Sequence, residues 1–175
     1  MIKIGILGDI GSGKSFLAKK FGYPVFNADY EVSKIYKKNK KIFIKLNKKL
    51  PKYITKFPID KNQITKAIMS NKNNLKKIID IVHKEIRKKM KLFLKKNKNK
   101  KIIILDIPLL LENKINTKKD VLVFVDSKKG DVEKRLIKRK NFNRKLFNRF
   151  KKIQFSSTYK KRRSNFIIKN DFKKQ

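Results

Sequence analysis

The stretch Gly8-Asp9-Ile10-Gly11-Ser12-Gly13-Lys14-Ser15 fits the pattern G-x-x-x-x-G-K-[ST] of a phosphate-binding P-loop. An apolar run, Ile2 to Leu7, leads into it, and Phe16 to Gly22 (FLAKKFG) reads as a short helix leading out. Glycines let the backbone take positive φ and approach phosphates closely, so that successive N–H groups point inward. Lys14 is predicted to reach the β- and γ-phosphates and Ser15 to offer its hydroxyl to Mg²⁺. Gly11, Ser12, Gly13 and Phe16 complete the expected ATP contacts. A chance match in a glycine turn is disfavoured by this strand-loop-helix context. The motif reports binding of a nucleoside triphosphate and does not name the group that is phosphorylated.

No Asn-Lys-x-Asp is present to read guanine, so a GTPase is disfavoured. A small chain with a helical middle and late arginines suits a kinase acting on a small metabolite. Phosphoryl transfer asks for positioning and charge neutralisation more than for covalent chemistry. An acid near the acceptor hydroxyl is therefore expected, together with phosphate-binding arginines. Asp29 lies just past a second predicted strand, at the carboxyl end of the sheet where ligands bind; the alternative is a helix N-cap. Asp106 ends a third strand and could hold Mg²⁺ through water, or simply form the turn before Pro108. Arg135 and Arg139 are four apart and would share a helix face, either gripping phosphate or facing solvent. His83 sits beside Val82 in a long amphipathic stretch, where packing is as natural as substrate binding.

The elements that position these residues follow from apolar spacing. Short apolar runs at 2–7, 24–27, 102–107, 121–125 and 165–168 read as strands covered on both faces. Residues 28–37 have helical spacing. Residues 38–98 contain no convincing strand: Ile42, Leu46 and Leu50 mark one helix, Ile64, Ile68 and Met69 another, and Leu75 to Phe93 a long stripe. The Asn/Lys runs near 70–74 and 95–101 read as loops rather than domain boundaries. The connection after Ile107 has room for a short helix, and 131–153 reads as helical. Strand-helix alternation predicts an α/β fold with a mostly parallel sheet.

Composition sets the outer bounds. The 175 residues make one domain. With no cysteine and one histidine, a disulfide framework, a thiolate metal site and a histidine-rich metal site are excluded. No apolar run approaches the ~20 residues that span a bilayer, and the N-terminus lacks a signal pattern, so a cytoplasmic protein is expected. The 51 basic and 13 acidic residues give a net charge of +38. A polyanion partner is one reading. Against it, 97 of the 175 residues are Lys, Ile, Asn or Phe, all with A/T-rich codons, and the 44 lysines are spread along the whole chain. Nonspecific polyanion binding is expected, and a specific nucleic-acid or membrane partner is not. Oligomeric state is not encoded in any readable feature.

Taken together, five ordered stretches resemble the dephospho-CoA kinase family. They are IGSGKS (10–15), FNAD (26–29) with Val32 and Lys34, IVHKEI (81–86), IPLLLE (107–112), and a closing set of Arg135, Arg139, Gln154 and NFIIKN (165–170). The resemblance implies a three-layer P-loop kinase with a five-stranded parallel sheet. Its core would be 1–29, 99–138 and 164–175, with a helical acceptor-binding insertion at about 30–98 and a lid at about 139–163. It implies ATP- and Mg²⁺-dependent phosphorylation of the ribose 3′-hydroxyl of dephospho-CoA. Asp29 would orient the hydroxyl or accept its proton, Arg139 would meet phosphates with Arg135 nearby, and Asn170 would contact adenine. His83, Arg87 and Leu109 would help hold the acceptor. The chain departs from the family pattern at Asp9 (usually glycine), Asn27 (aspartate), Lys34 (arginine) and Lys84 (proline). The rival readings are a related nucleotide or metabolite kinase with a changed acceptor, and a P-loop protein that binds nucleic acid.

Overall fold

A computed structural model describes residues 1–140 and 142–172. The chain forms two compact units, one from Met1–Asn27 with the chain from Asn97 onward, the other from Ala28–Lys96.

The first unit is built on strands β1 (Ile2–Gly8), β2 (Val25–Asn27), β3 (Ile102–Asp106), β4 (Val121–Asp126) and β5 (Phe166–Lys169). They form one sheet in the order β2-β3-β1-β4-β5, and every pairing is parallel. The centre of the sheet is where the apolar runs are unbroken, with Ile103, Ile104, Leu105, Val123, Phe124 and Val125 all buried. Helix α1 (Lys14–Lys20) packs Ala18 and Leu17 onto the cluster of Ile6, Ile104, Val123 and Val125. Gly5 has no room for a side chain: a Cβ there would meet Leu110 Cδ2 at 2.6 Å and Leu122 Cδ2 at 2.9 Å. β1 lies between β3 and β4, so the loop that leaves it opens at the point where strand order reverses, the usual ligand position in such sheets.

The second unit is helical: α2 (Ala28–Lys38), α3 (Lys40–Lys49), α4 (Lys61–Ser70) and α5 (Lys72–Lys96). Capping residues set the starts. Asn39 accepts from the Ile42 amide at 3.1 Å and Asp60 from the Gln63 amide at 2.8 Å, each satisfying a first-turn donor. Leu50, just before Pro51, caps the end of α3. The α5 stripe buries Leu75, Ile78, Val82 and Ile86. Position 84, where the family pattern has proline, carries a lysine that keeps its backbone donor, and α5 runs through it without interruption for 25 residues.

Three expectations are corrected, and one element is added. The connection after Ile107 has room for a helix but forms successive turns, because Leu109 (φ 59°) and Lys114 (φ 49°) take left-handed backbone that no helix allows. The helical stretch at 131–153 is two helices, α6 (Lys129–Ile137) and α7 (Arg144–Lys152), with Asn143 capping the second through the Leu146 amide. A further short helix, α8 (Ser157–Arg162), follows, started by Ser156 accepting from the Tyr159 amide. The Asn/Lys runs are only partly loops: residues 72–74 belong to α5, and so do Lys95 and Lys96.

Candidate active site

The glycines of the loop after β1 take the backbone its turn requires. Gly11 has φ 88° and Gly13 φ 93°, and a Cβ on Gly11 would press on Leu136 and Val132 of α6 at 3.0 Å. A Cβ on Gly13 would strike the Asn170 side-chain amide. Lys14 arches back so that Nζ donates to the carbonyls of Gly8 (3.1 Å) and Asp9 (2.8 Å). Its ammonium therefore lies over the loop rather than in the core. Ser12 is 1% exposed, and its Oγ is a buried hydroxyl without a hydrogen-bond partner. The Ser12 carbonyl accepts from Ser127 Oγ at 3.0 Å and from Asn170 Nδ2 at 2.9 Å. Ser15 and Phe16 are exposed on the first turn of α1.

Two strand ends meet beside this loop. Asn27 and Asp106 are register partners of β2 and β3, and Asn27 Nδ2 donates to Asp106 Oδ2 at 2.6 Å. The asparagine that departs from the family pattern thus orients the carboxylate instead of repelling it. Asp106 is 3% exposed.

Asp9 resolves differently from a bare acid near phosphate. Its Oδ2 accepts from Ser157 Oγ at 2.6 Å, and its Oδ1 lies 3.7 Å from Lys160 Nζ. Lys160 is 3% exposed; its Nζ donates to Gln154 Oε1 at 3.2 Å and lies 3.8 Å from Glu112 Oε1. Glu112 Oε1 also accepts from the Phe155 amide at 2.8 Å. Gly8, Lys14, Leu109, Glu112, Gln154 and Lys160 line one cleft. Sequence reasoning quoted Glu112 and Gln154 only within motifs and missed Ser157 and Lys160, since nothing local distinguishes one lysine among 44.

The late arginines do not share a helix face. Arg135 lies in α6, its guanidinium 4.0 Å from the centroid of the Phe172 ring. Arg139 follows the end of α6 by two residues, in a turn where its amide donates to Leu136 O and its carbonyl accepts from the Phe142 amide. The i, i+4 rule applies only while the helix continues. Asn170 is placed against the phosphate loop, and Leu109 lines the cleft with Lys14. If Arg139 meets transferring phosphate, Arg139→Lys keeps the charge but loses the planar fork. Steady-state kinetics is then expected to show kcat falling several-fold more than ATP affinity; equal activity would return Arg139 to a solvated role.

In the helical unit, Asp29 is the second residue of α2 and is exposed. The helix already starts at Ala28, so Asp29 lies inside the first turn and is not the N-cap. Lys34 donates to Glu31 Oε1 at 3.2 Å and sits 4.3 Å from the Tyr30 ring centroid. That hydrogen bond raises the lysine pKa. His83 is half-buried in α5, and Arg87 is exposed one turn on. Burial of the imidazole, aided by the Arg87 charge and opposed by Asp80, holds the His83 pKa below the usual histidine range. The unfolded chain then binds more protons than the native one below about pH 6.5, so stability rises with pH through that window. His83→Gln is expected to flatten the change in Tm between pH 5.5 and 7.5. An unchanged slope would assign the pH dependence to other groups.

A sequence profile of the family described as dephospho-CoA kinase matches residues 2–175. The dephospho-CoA kinase of Wolbachia sp. subsp. Brugia malayi is 32% identical over 98% of this chain and 90% of its own length. That of Fusobacterium nucleatum is 32% identical over 96% and 89%. Among solved structures, TT1252 from Thermus thermophilus superposes with a TM-score of 0.74 at 25% identity, over 97% of this chain and 88% of that one. Dephospho-CoA kinase from Campylobacter jejuni shares the fold, with a TM-score of 0.62 at 22% identity over 98% and 89%.

Proposed function

The chain belongs to the dephospho-CoA kinase family and phosphorylates dephospho-CoA to coenzyme A, and from that premise we propose which of its residues carry the reaction. The observation that supports the assignment is the loop itself: glycines 11 and 13 in left-handed backbone, with Lys14 Nζ held over the Gly8 and Asp9 carbonyls. The backbone N–H groups of Gly11, Ser12, Gly13, Lys14 and Ser15 bind the ATP phosphates, and the Lys14 ammonium follows the β- and γ-phosphates. Phe16, Arg135 and Asn170 contact the nucleotide side, and Arg139 meets the transferring group. Asp29 orients the ribose 3′-hydroxyl and takes its proton as the γ-phosphoryl group transfers, while His83, Arg87 and Leu109 hold the rest of the acceptor. The helical unit is the acceptor-binding insertion, and the chain around α7 and α8 belongs to the lid.

Mg²⁺ fits the donor set. Ser15 offers an exposed hydroxyl, and Asp106 is a buried carboxylate already oriented by Asn27, the oxygen ligands a hard cation takes alongside water and phosphate oxygens. When bound, the ion offsets charge on the phosphates. We place the reaction in the cytoplasm; no helix among the described residues is long and apolar enough to cross a membrane.

The test is ATP consumption coupled to an acceptor panel of dephospho-CoA, AMP and adenosine. Turnover strictly dependent on dephospho-CoA is expected. Equal or faster turnover with AMP or adenosine would move the acceptor elsewhere, and acceptor-independent hydrolysis alone would remove the kinase assignment.

A further inference from the structure

We propose that Lys160 is a positioning residue of the phosphate loop, acting through Asp9 and Glu112 to keep a loop that carries an acid able to receive a triphosphate. This rests on the ATP-binding role of the loop proposed above.

Three observations carry it. Lys160 is the one lysine among the described residues that is buried. Such a charge persists only when its partners offset the lost hydration. The partners are two carboxylates from different parts of the unit, Asp9 of the loop at 3.7 Å and Glu112 of the turn after β3 at 3.8 Å, with Gln154 Oε1 accepting at 3.2 Å. Second, both oxygens of Asp9 face this cluster, since Oδ2 takes the Ser157 hydroxyl at 2.6 Å. The acid is turned toward α8 while its own carbonyl accepts from Lys14 at 2.8 Å. Third, Lys160 and Lys14 line the same cleft.

The charge arithmetic gives the consequence. Asp9, Glu112 and Lys160 together carry one net negative charge; without the lysine they carry two, beside a loop that must accept a polyanion. Asp9 belongs to the loop, and Glu112 and Lys160 line one cleft with Gly8 and Lys14, so such a change is felt where the phosphates bind. Hydrogen bonds to charged groups contribute enough that losing one typically shifts an equilibrium roughly 10- to 100-fold. The same lysine also holds the segment 154–160 against the loop, so the Asp9 carboxylate would be freed to turn toward the cleft when it is lost.

The experiment is a double-mutant cycle read as ATP affinity by calorimetry on the full-length chain, without acceptor. Lys160→Met is expected to weaken ATP binding roughly 10- to 100-fold. Asp9→Gly in the same chain removes the uncompensated acid and is expected to restore at least about tenfold, measured against Asp9→Gly alone. A lysine that merely supports the fold would weaken binding equally in both backgrounds. Lys160→Gln, which keeps a donor for Gln154 and the carboxylates while losing the charge, repeats the cycle if the methionine variant fails to fold. Additive effects, or ATP affinity within threefold of wild type in a folded Lys160 variant, overturn the proposal. Turnover of dephospho-CoA by the unmodified protein is measured separately. Its absence would defeat the acceptor assignment while leaving the ATP cycle to be judged by itself.

Discussion

Lys14→Ala is expected to reduce turnover by at least about 10²–10³, the scale on which one donor aimed at developing charge contributes to a transition state. The structure separates this effect from a folding defect. Lys14 Nζ donates to the loop carbonyls of Gly8 and Asp9, at 3.1 and 2.8 Å, while the cluster that anchors α1 is made by Ile6, Ala18, Ile104, Val123 and Val125. A chain of this size shifts its Tm by roughly 2–4 °C for each kcal/mol lost, so calorimetry resolves even a small structural cost. The expected result is a Tm within a few degrees of wild type with turnover close to background. A folded variant with wild-type kcat would remove the loop from the mechanism.

Asp29→Asn is expected to cost roughly 10²–10⁴ in kcat, the range for a lost general base. A ribose hydroxyl is a poor nucleophile at neutral pH, and a carboxylate within hydrogen-bond reach can orient it and accept its proton. Asp29 stands inside the first turn of α2 and not at the cap, and asparagine keeps its shape while removing a favourable charge near a helix start. Such a charge contributes about 0.3–1 kcal/mol at most surface sites. Tm is therefore expected to change little and ATP affinity hardly at all. Measured together, kcat with dephospho-CoA, ATP affinity and Tm decide the point. A variant that is less stable yet fully active per folded molecule would leave Asp29 a helix-start residue and nothing more.

What could be read from the residues, and what could not, divides along a physical line. β3 and β4 were legible because a strand buried on both faces is apolar at every position, and the run itself marks its ends at Asp106 and Asp126. The loop was legible because phosphate cradling demands particular residues at fixed spacing. Asn39 and Asp60 cap α3 and α4 from within the same stretch of chain, a local signal that reading apolar spacing alone passed over. The break between α6 and α7 was harder: Lys138 to Lys140 continue a helical composition, and only the Asn143 cap signals a restart. The turns after Ile107 place Leu109 and Lys114 at positive φ, where glycine or asparagine would have given warning. The Asp9–Ser157–Lys160 cluster is invisible locally, because Asp9 lies 148 positions before Ser157 and the lysine is chemically identical to 43 others.

Those long separations bear on how the enzyme comes into being at the ribosome. The loop that ends at Ser15 is synthesised well before the residues that brace it: Ser127 for the Ser12 carbonyl, Ser157 and Lys160 for Asp9, and Asn170 again for Ser12. Contacts of such high sequence separation form slowly, since the intervening chain must be closed before they are rewarded. A nascent chain that has emerged only as far as α7 holds β1 to β4 but lacks β5 and the later braces. It carries every residue of the nucleotide motif in a loop that has the Ser127 contact but still lacks those of Ser157, Lys160 and Asn170. The full set of these braces is complete only once β5 and Asn170 have joined the sheet, so the final shape of the loop is a late product of folding.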